Sequence, residues 1–554
     1  MGRAAVSADN APRTLPLLRW PPFPGASMPT GPAPEASPVD REILFVALRE
    51  ARVGSAFWGE AREANSSEAV LHARTKGEAD TASADLGLTD PCLIAAGPDA
   101  PVIDPWSILP DARHLIAHGG DEWIAIAAIL GLQVTVLTPG PYGSPSDSAE
   151  ALSERAFEAL SSTMPDPFSD AWLEPLDAIA LLTDWRRVLD GNRGGSGERI
   201  VAACGMSWWK REEIRRFLWS PGKPLKFLRA NVGAVSAAAQ AEGAIAIWPS
   251  RVSRDLELDA TANEVPLVRV EDGFVRSVGL GSNLVPPLSV IVDRQGIHFD
   301  PSRPSDLETI LANTTFTASH THRAAALRKA IVEAGISKYG AGDKPSITGR
   351  KVKNAKRLVL VPGQVENDMS VLAGGGGLTS NLELLKRTRA LEPDAEIWWR
   401  PHPDVDAGHR VGAVDDEAAL EFADRIVREG SMSELLGQVD ALHTLTSLSG
   451  FEALMRGVEV TCHGVPFYSG WGLTRDLGDV PDRRGRVLSL DELVAGVLVL
   501  YPRYLDPVTG LPCPPEILIR RLADGEASNR LGWVEPIRRI QGRIMRRLRP
   551  TSGR

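Results

Sequence analysis

Glu271 and Asp272 stand side by side in VEDGFVRSVGLGSNLVPPLS, residues Val270–Ser289, directly after the apolar run Val265–Val270. Carboxylates at the end of a strand, on a glycine-containing turn, are where α/β enzymes place groups that move protons or attack electrophiles. Spacing alone also fits, and even favours, a strand-ending turn with solvated acids. His402 lies in Arg400-Pro401-His402-Pro403-Asp404, after the strand-like AEIWW. The prolines fix the chain as it leaves a sheet and hold the imidazole at its edge, to meet a nucleotide phosphate or to cap a helix. Thr446–Glu452 (TSLSGFE) follows one strand-like run and opens a helix. Backbone N–H groups and the helix dipole make such a start an anion site, and Ser447 and Ser449 add donors. Glu452, one turn in, suits a sugar hydroxyl or a base amine; an ordinary N-cap explains the same residues. Gln364, in Val361-Pro362-Gly363-Gln364, suits the edge of a base or sugar.

Other segments are less specific. Ala373–Gly377 (AGGGG) reads as a flexible loop or lid and lacks the GK[ST] of a Walker A motif. Phe467, Tyr468 and Trp471 beside Arg475 and Asp476 suit stacking on sugars or packing in a core. No HExxH pattern and no Cys/His ligand set is present, so no metal is expected.

The elements that must position these groups alternate strand and helix. From Arg199 the chain reads as strand IVAAC, strands GAIAIWPSR and PLVRV, and a hairpin LSVIVDRQGIHF around Gln295-Gly296. After a Gly- and Lys-rich linker come strand RLVLVPGQ, helix LTSNLELLKRTRAL, strand AEIWWRPHPD, strand DALHTLTS, helix LSGFEALMRG and strand VEVTCHG. This alternation predicts parallel sheets with helices on both faces and a ligand cleft between two such halves. The expected organisation is a disordered arm over 1–40, rich in Pro, Ala and Ser, then an α/β segment with a polar linker over 41–198. Halves follow over 199–345 and 357–525, with a basic tail over 526–554. An internal echo links Ile108–Thr138 to Leu435–Gly464, with Gly131 where Gly457 stands and Ile126 in place of Glu452. If the echo is a duplication, residues 41–198 hold a degenerate, inactive half-module.

Composition narrows the class. The 554 residues exceed what one core supports. A net charge of −10 argues against nucleic acid as a partner. Cys92, Cys204, Cys462 and Cys513 form no CxxC pair, as expected of reduced cytoplasmic thiols. No run is long enough to span a bilayer, no leader pattern opens the chain, and secretion is not expected. Ile537, Ile540, Ile544 and Leu548 share one face of an arginine-rich terminal helix. That pattern suits anionic lipid or a docked, solvated helix.

Seven blocks in one order over residues 200–520 carry a family resemblance: VEDGFVRSVGLGSNLVPPLS, GIHFDPSRPSDLE, VPGQVENDMS, RPHPDV, HTLTSLSGFEALMRG, PFYSGWGLTRD and LSLDELVAGVLVLYPRYLDPVTG. Together they resemble capsule polysaccharide proteins of the KpsC/LpsZ type, in particular the second of that family's two tandem transferase modules. Gly205–Leu218 (GMSWWKREEIRRFL) resembles the module's opening. The resemblance implies a GT-B-like fold, two Rossmann-like domains facing a cleft, and a retaining β-Kdo transferase using CMP-β-Kdo as donor substrate, with no cofactor. It implies Asp272 as the catalytic carboxylate, with His402 and the Ser447–Glu452 helix start holding CMP. Arg276 and Ser277 become contacts for the Kdo carboxylate, on charge alone. Expected partners are a lipid-linked acceptor at the inner membrane surface and the capsule export machinery, with the protein cytoplasmic and peripheral to that membrane. His298 and Phe299 stand where the family shows a Tyr-Tyr pair, and Arg400 where it shows Lys. A non-catalytic assembly partner, or a GT-B enzyme using another nucleotide sugar, fits the same blocks.

Overall fold

The computed structural model describes residues 16–26, 34–62, 68–95, 100–194, 198–222, 224–275, 285–337, 340–341 and 356–526. The chain divides into two units, Met1–Ile200 with Leu218–Leu225, and Val201–Phe217 with Lys226–Arg554.

The first unit is built on a parallel sheet of β1 (Ala69–Ala73), β2 (Cys92–Ala95), β3 (His114–Ala117) and β4 (Gln133–Val136), in the order β2-β1-β3-β4. A short antiparallel pair, β5 (Met164–Pro165) and β6 (Trp172–Leu173), lies beside it in sequence. Two expectations are corrected here. Within the arm, Leu17, Leu18, Trp20 and Phe23 are buried, and the Phe23 ring lies 5.2 Å from Trp185 and 4.8 Å from Trp219. Burying each such side chain contributes about 1.5–3 kcal/mol, enough to order a proline-rich stretch that carries several of them. The polar run at Asp190 is not wholly a linker, since Asp190–Arg193 complete the helix Pro175–Arg193. Arg193 and Arg186 reach back to the buried Asp104 at 2.7 and 2.8 Å.

The second unit opens with β7 (Ile200–Cys204), β8 (Lys226–Phe227), β9 (Ala244–Ile247), β10 (Leu267–Asp272) and β11 (Ser289–Asp293). The expected hairpin forms only its first strand. Asp293 instead accepts the N–H groups of Gln295, Gly296 and Asp306, which turns the chain into a helix at Asp306–Asn313. A small pair, β12 (Ile336–Ser337) and β13 (Gly340–Ala341), ends this half.

The next sheet holds β14 (Leu358–Pro362), β15 (Glu396–Arg400), β16 (Arg425–Ile426), β17 (Ala441–Thr444), β18 (Glu459–Cys462) and β19 (Arg475–Asp476). Its order is β16-β15-β14-β17-β18-β19 and every pairing is parallel, the Rossmann arrangement. Strands buried on both faces, such as LVLV and IWW, read as continuous apolar runs because helices cover each side.

The chain then crosses back. β20 (Pro502–Leu505) pairs antiparallel with β11, and β21 (Pro512–Cys513) with β20, completing a seven-stranded sheet in the order β21-β20-β11-β10-β9-β7-β8. Residues 502–513, expected in the second half, therefore belong to the first sheet. Among the described residues no helix is long and apolar enough to cross a membrane.

Candidate functional site

Asp272 is the last residue of β10, an inner strand flanked by parallel β9 and antiparallel β11. The next residue must be glycine, because a Cβ on Gly273 would stand 1.8 Å from Ser289 Oγ, while its N–H donates to Ser289 O at 2.8 Å. The Asp272 carboxylate accepts from Lys210 Nζ at 2.8 Å. Lys210 is 7% exposed and its ammonium sits 3.5 Å from the centroid of the Trp248 ring. A cation held against an indole face and a carboxylate is fixed in direction, and so fixes its partner. Glu271 turns back to accept the Asp272 N–H at 3.1 Å. Lys210 and Trp248 were not singled out by sequence reasoning. The available signal was a lysine among aromatics within the GMSWWKREE block.

Phe274 connects this loop to the other half of the unit. Its ring lies 4.7 Å from Phe467 and 4.9 Å from His298. Phe467 in turn lies 5.7 Å from Phe451 in the helix Leu448–Met455. The aromatic patch is therefore packed between the halves: Tyr468 and Trp471 are fully buried, and Trp471 Nε1 donates to Phe467 O. Tyr468 Oη donates to Ser447 O at 2.5 Å and holds the start of that helix.

On the Rossmann side, Gln364, His402 and Ser447 follow β14, β15 and β17, three neighbouring strands at the sheet's carboxyl edge. Strand order reverses between β14 and β17, which is where open α/β sheets leave a ligand crevice. Gln364 spans that crevice. Its Nε2 donates to Thr446 Oγ1 at 3.0 Å and its Oε1 accepts from Thr446 N at 3.0 Å, so both amide ends are engaged within the protein. Ser447 caps its helix by accepting the Ser449 N–H at 3.2 Å, and the two hydroxyls are hydrogen-bonded. Glu452 is buried at 4% exposure. His402 caps a short helix through Nδ1, which accepts the Asp404 N–H at 3.2 Å; a neutral ring then carries its proton on Nε2. Arg400 donates to the carbonyls of Val427, Glu429 and Gly430 and anchors a loop. The AGGGG segment is tied down, Gly374 closing the helix Met369–Gly374 and its carbonyl accepting from Val465 N at 2.7 Å. Arg276 and Ser277 lie outside the described residues.

Two Rossmann-like halves joined through one aromatic cluster, with a carboxylate on one and a helix-start crevice on the other, define a GT-B-like protein. The family described as "Capsule polysaccharide biosynthesis protein" matches residues 243–504. LipA of Neisseria meningitidis serogroup A, a capsule polysaccharide modification protein, is 40% identical over 333 residues, which are 60% of this chain and 46% of LipA. LpsZ of Rhizobium meliloti, a lipopolysaccharide-processing protein, is 38% identical over 59% of this chain and 75% of its own length. The Thermosulfurimonas dismutans KpsC β-Kdo 2,4 transferase structure is 33% identical, with a TM-score of 0.50, covering 58% of this chain and 98% of that one. The chain belongs to the family of capsule polysaccharide proteins of the KpsC/LpsZ type. It spans about half the length of the LipA relatives it matches.

Proposed function

We propose that the chain is a glycosyltransferase of capsular polysaccharide assembly, transferring Kdo from CMP-β-Kdo with retention to a lipid-linked, Kdo-bearing acceptor. The observation that carries this reading is Asp272, on the end of an inner strand, paired with buried Lys210 and joined by Phe274 to the half that carries His402 and Ser447. Similarity to a β-Kdo 2,4 transferase supports the sugar.

In this reading an Asp272 oxygen attacks the anomeric carbon as the bond to CMP breaks. CMP leaves with the electron pair, and a glycosyl ester forms with inverted configuration. The acceptor hydroxyl then attacks the same carbon, its proton passing to solvent, and the bond to Asp272 breaks with its electrons returning to the carboxylate; this second inversion makes the net outcome retention. The helix start at Ser447, its hydroxyls and a proton on His402 Nε2 suit the phosphate of the leaving CMP. Arg276 and Ser277 remain proposed contacts of the Kdo carboxylate. Work at the inner membrane surface, with the basic segment 526–554 on anionic lipid, belongs to the same proposal; residues 527–554 lie outside the described residues.

The test supplies CMP-Kdo, made in situ, and a Kdo-lipid acceptor, and follows CMP release and the anomer of the product. Asp272→Ala is expected to lower turnover by at least ~10³-fold. Wild-type turnover in that variant, or an inverted product, would sink the mechanism.

A further inference from the structure

The N-terminal unit carries a cavity of about 520 Å³ at the carboxyl edge of its own sheet. It opens where strand order reverses, since β2 lies on one side of β1 and β3 on the other. Open parallel sheets place ligands at such a crevice, and sites for small molecules run to ~300–1,000 Å³. The family match begins at residue 243 and does not reach this unit.

The walls combine indoles, cations and carboxylates: Arg19, Trp58, His72, Arg74, Asp121 and Trp123. Most of the charges are held in place. His72 Nδ1 faces one carboxylate oxygen of Asp121, and the other accepts the Trp123 N–H at 2.9 Å. Buried His118 is fixed between Glu78 at 2.9 Å and Thr138 at 3.0 Å. Arg19 pairs with Glu122 at 2.5 Å and lies 5.9 Å from the Trp58 ring centroid. Arg74 is exposed at the rim; its backbone N–H donates to the Glu78 carboxylate at 2.8 Å, and that hydrogen bond and its guanidinium both lower the pKa of the same carboxylate.

The chemistry separates ligand classes. A phosphate at the start of the helix Trp123–Leu130 would face the carboxylates of Asp121 and Glu122, unlike one at the serine-capped start at Ser447. Sugar hydroxyls donate to such carboxylates, and the apolar face of a sugar ring stacks on an indole such as half-buried Trp58. Arg74 suits one carboxylate. The geometry points to a ligand site on this unit for an acidic saccharide, with its ring on Trp58, hydroxyls on Asp121 and Glu122, and its carboxylate on Arg74. The site does not depend on turnover at Asp272.

Calorimetric titration of the full chain with free Kdo, N-acetylneuraminic acid and neutral maltotriose tests it. Binding is expected with the acidic sugars and not with maltotriose. It should weaken at least tenfold in both Gly120→Leu and Arg74→Ala. A Cβ on Gly120 would meet nothing within 4 Å, so leucine there fills the opening without strain, and Arg74 is on the surface. The inference is overturned by no binding of either acid sugar, by maltotriose binding as tightly, by affinity that survives both substitutions, or by CMP competing for the same site. Because titration reads binding alone, a chain inactive as a transferase still decides it.

Discussion

Lys210 shows how a single residue gains a role that its neighbours in sequence do not reveal. WWK reads locally as the approach to a helix, yet the fold sets its ammonium 2.8 Å from Asp272, with the Trp248 ring on another side. In the proposed transferase Lys210 would be a positioning residue for Asp272. Lys210→Met preserves volume and removes the charge, leaving a partly buried carboxylate without this cation. In the proposed transferase, kcat is expected to fall by ~10²-fold or more with KM little changed, and Lys210→Arg to recover part of the loss. Equal kcat values for Met and wild type would remove the role. The place of Asp272 at a strand end was legible in sequence, because it follows an apolar run; its proposed role came from the family resemblance. The engagement of Gln364 with Thr444 and Thr446 was not legible, because these partners lie 80 and 82 positions along the chain.

At the scale of elements, the helix starts and strand ends follow from local sequence. Caps at Ser447 and His402 need only residues two positions on, and these were visible. Close approach is different. A Cβ on Gly450 would stand 2.2 Å from Tyr468 Oη, the same hydroxyl that holds Ser447 O. Gly450→Ala is expected to cost about 1–3 kcal/mol in denaturant unfolding despite alanine's better helix propensity. An unchanged or raised stability would show that Tyr468 yields freely.

The β17–β18 pair makes a further prediction. Burial is the main cause that pushes His443 down to about 3 and His463 down to about 4. Their rings face each other, Nδ1 to Nε2, at 3.1 Å, with Glu392 3.6 Å from His443. Folded values below the unfolded value near 6.5 mean that the unfolded chain takes up protons first. Stability is therefore highest above pH 6.5 and falls as pH drops toward 4, by up to ~1.4 kcal/mol per pH unit for each ring. Asp293, raised to about 6 mainly by burial, acts in the opposite sense between about 6 and 4. The signature is thus the difference between proteins. Unfolding followed from pH 7 to 5 should show a shallower loss in His443→Asn than in wild type, and parallel curves would refute it.

For the whole molecule, the decisive feature is the return of the chain after Tyr501. Tyr501 Oη donates to Asp293 at 2.8 Å, and Tyr504 aligns with Ser289. A chain ending at Leu500 loses β20 and β21 and bares the edge of β11, just behind Asp272. It is expected to be recovered aggregated, because an unpaired inner edge templates association. A soluble, monomeric truncation on size-exclusion chromatography would contradict this.

By itself the sequence determined what depends on near neighbours: apolar runs for strands, caps for helices, glycines past helix ends such as Gly131 and Gly457 at φ +76° and +73°, and seven ordered blocks that placed the family. The tertiary structure alone decided that Lys210 meets Asp272, that Leu17 to Phe23 pack as core, and that residues 502–513 complete the first sheet. Strand and helix periodicities are local, whereas these contacts join residues separated by 62 positions or, for Tyr501 and Asp293, by 208. No local pattern encodes which distant partner an apolar or charged side chain will meet; burial of the whole set selects it.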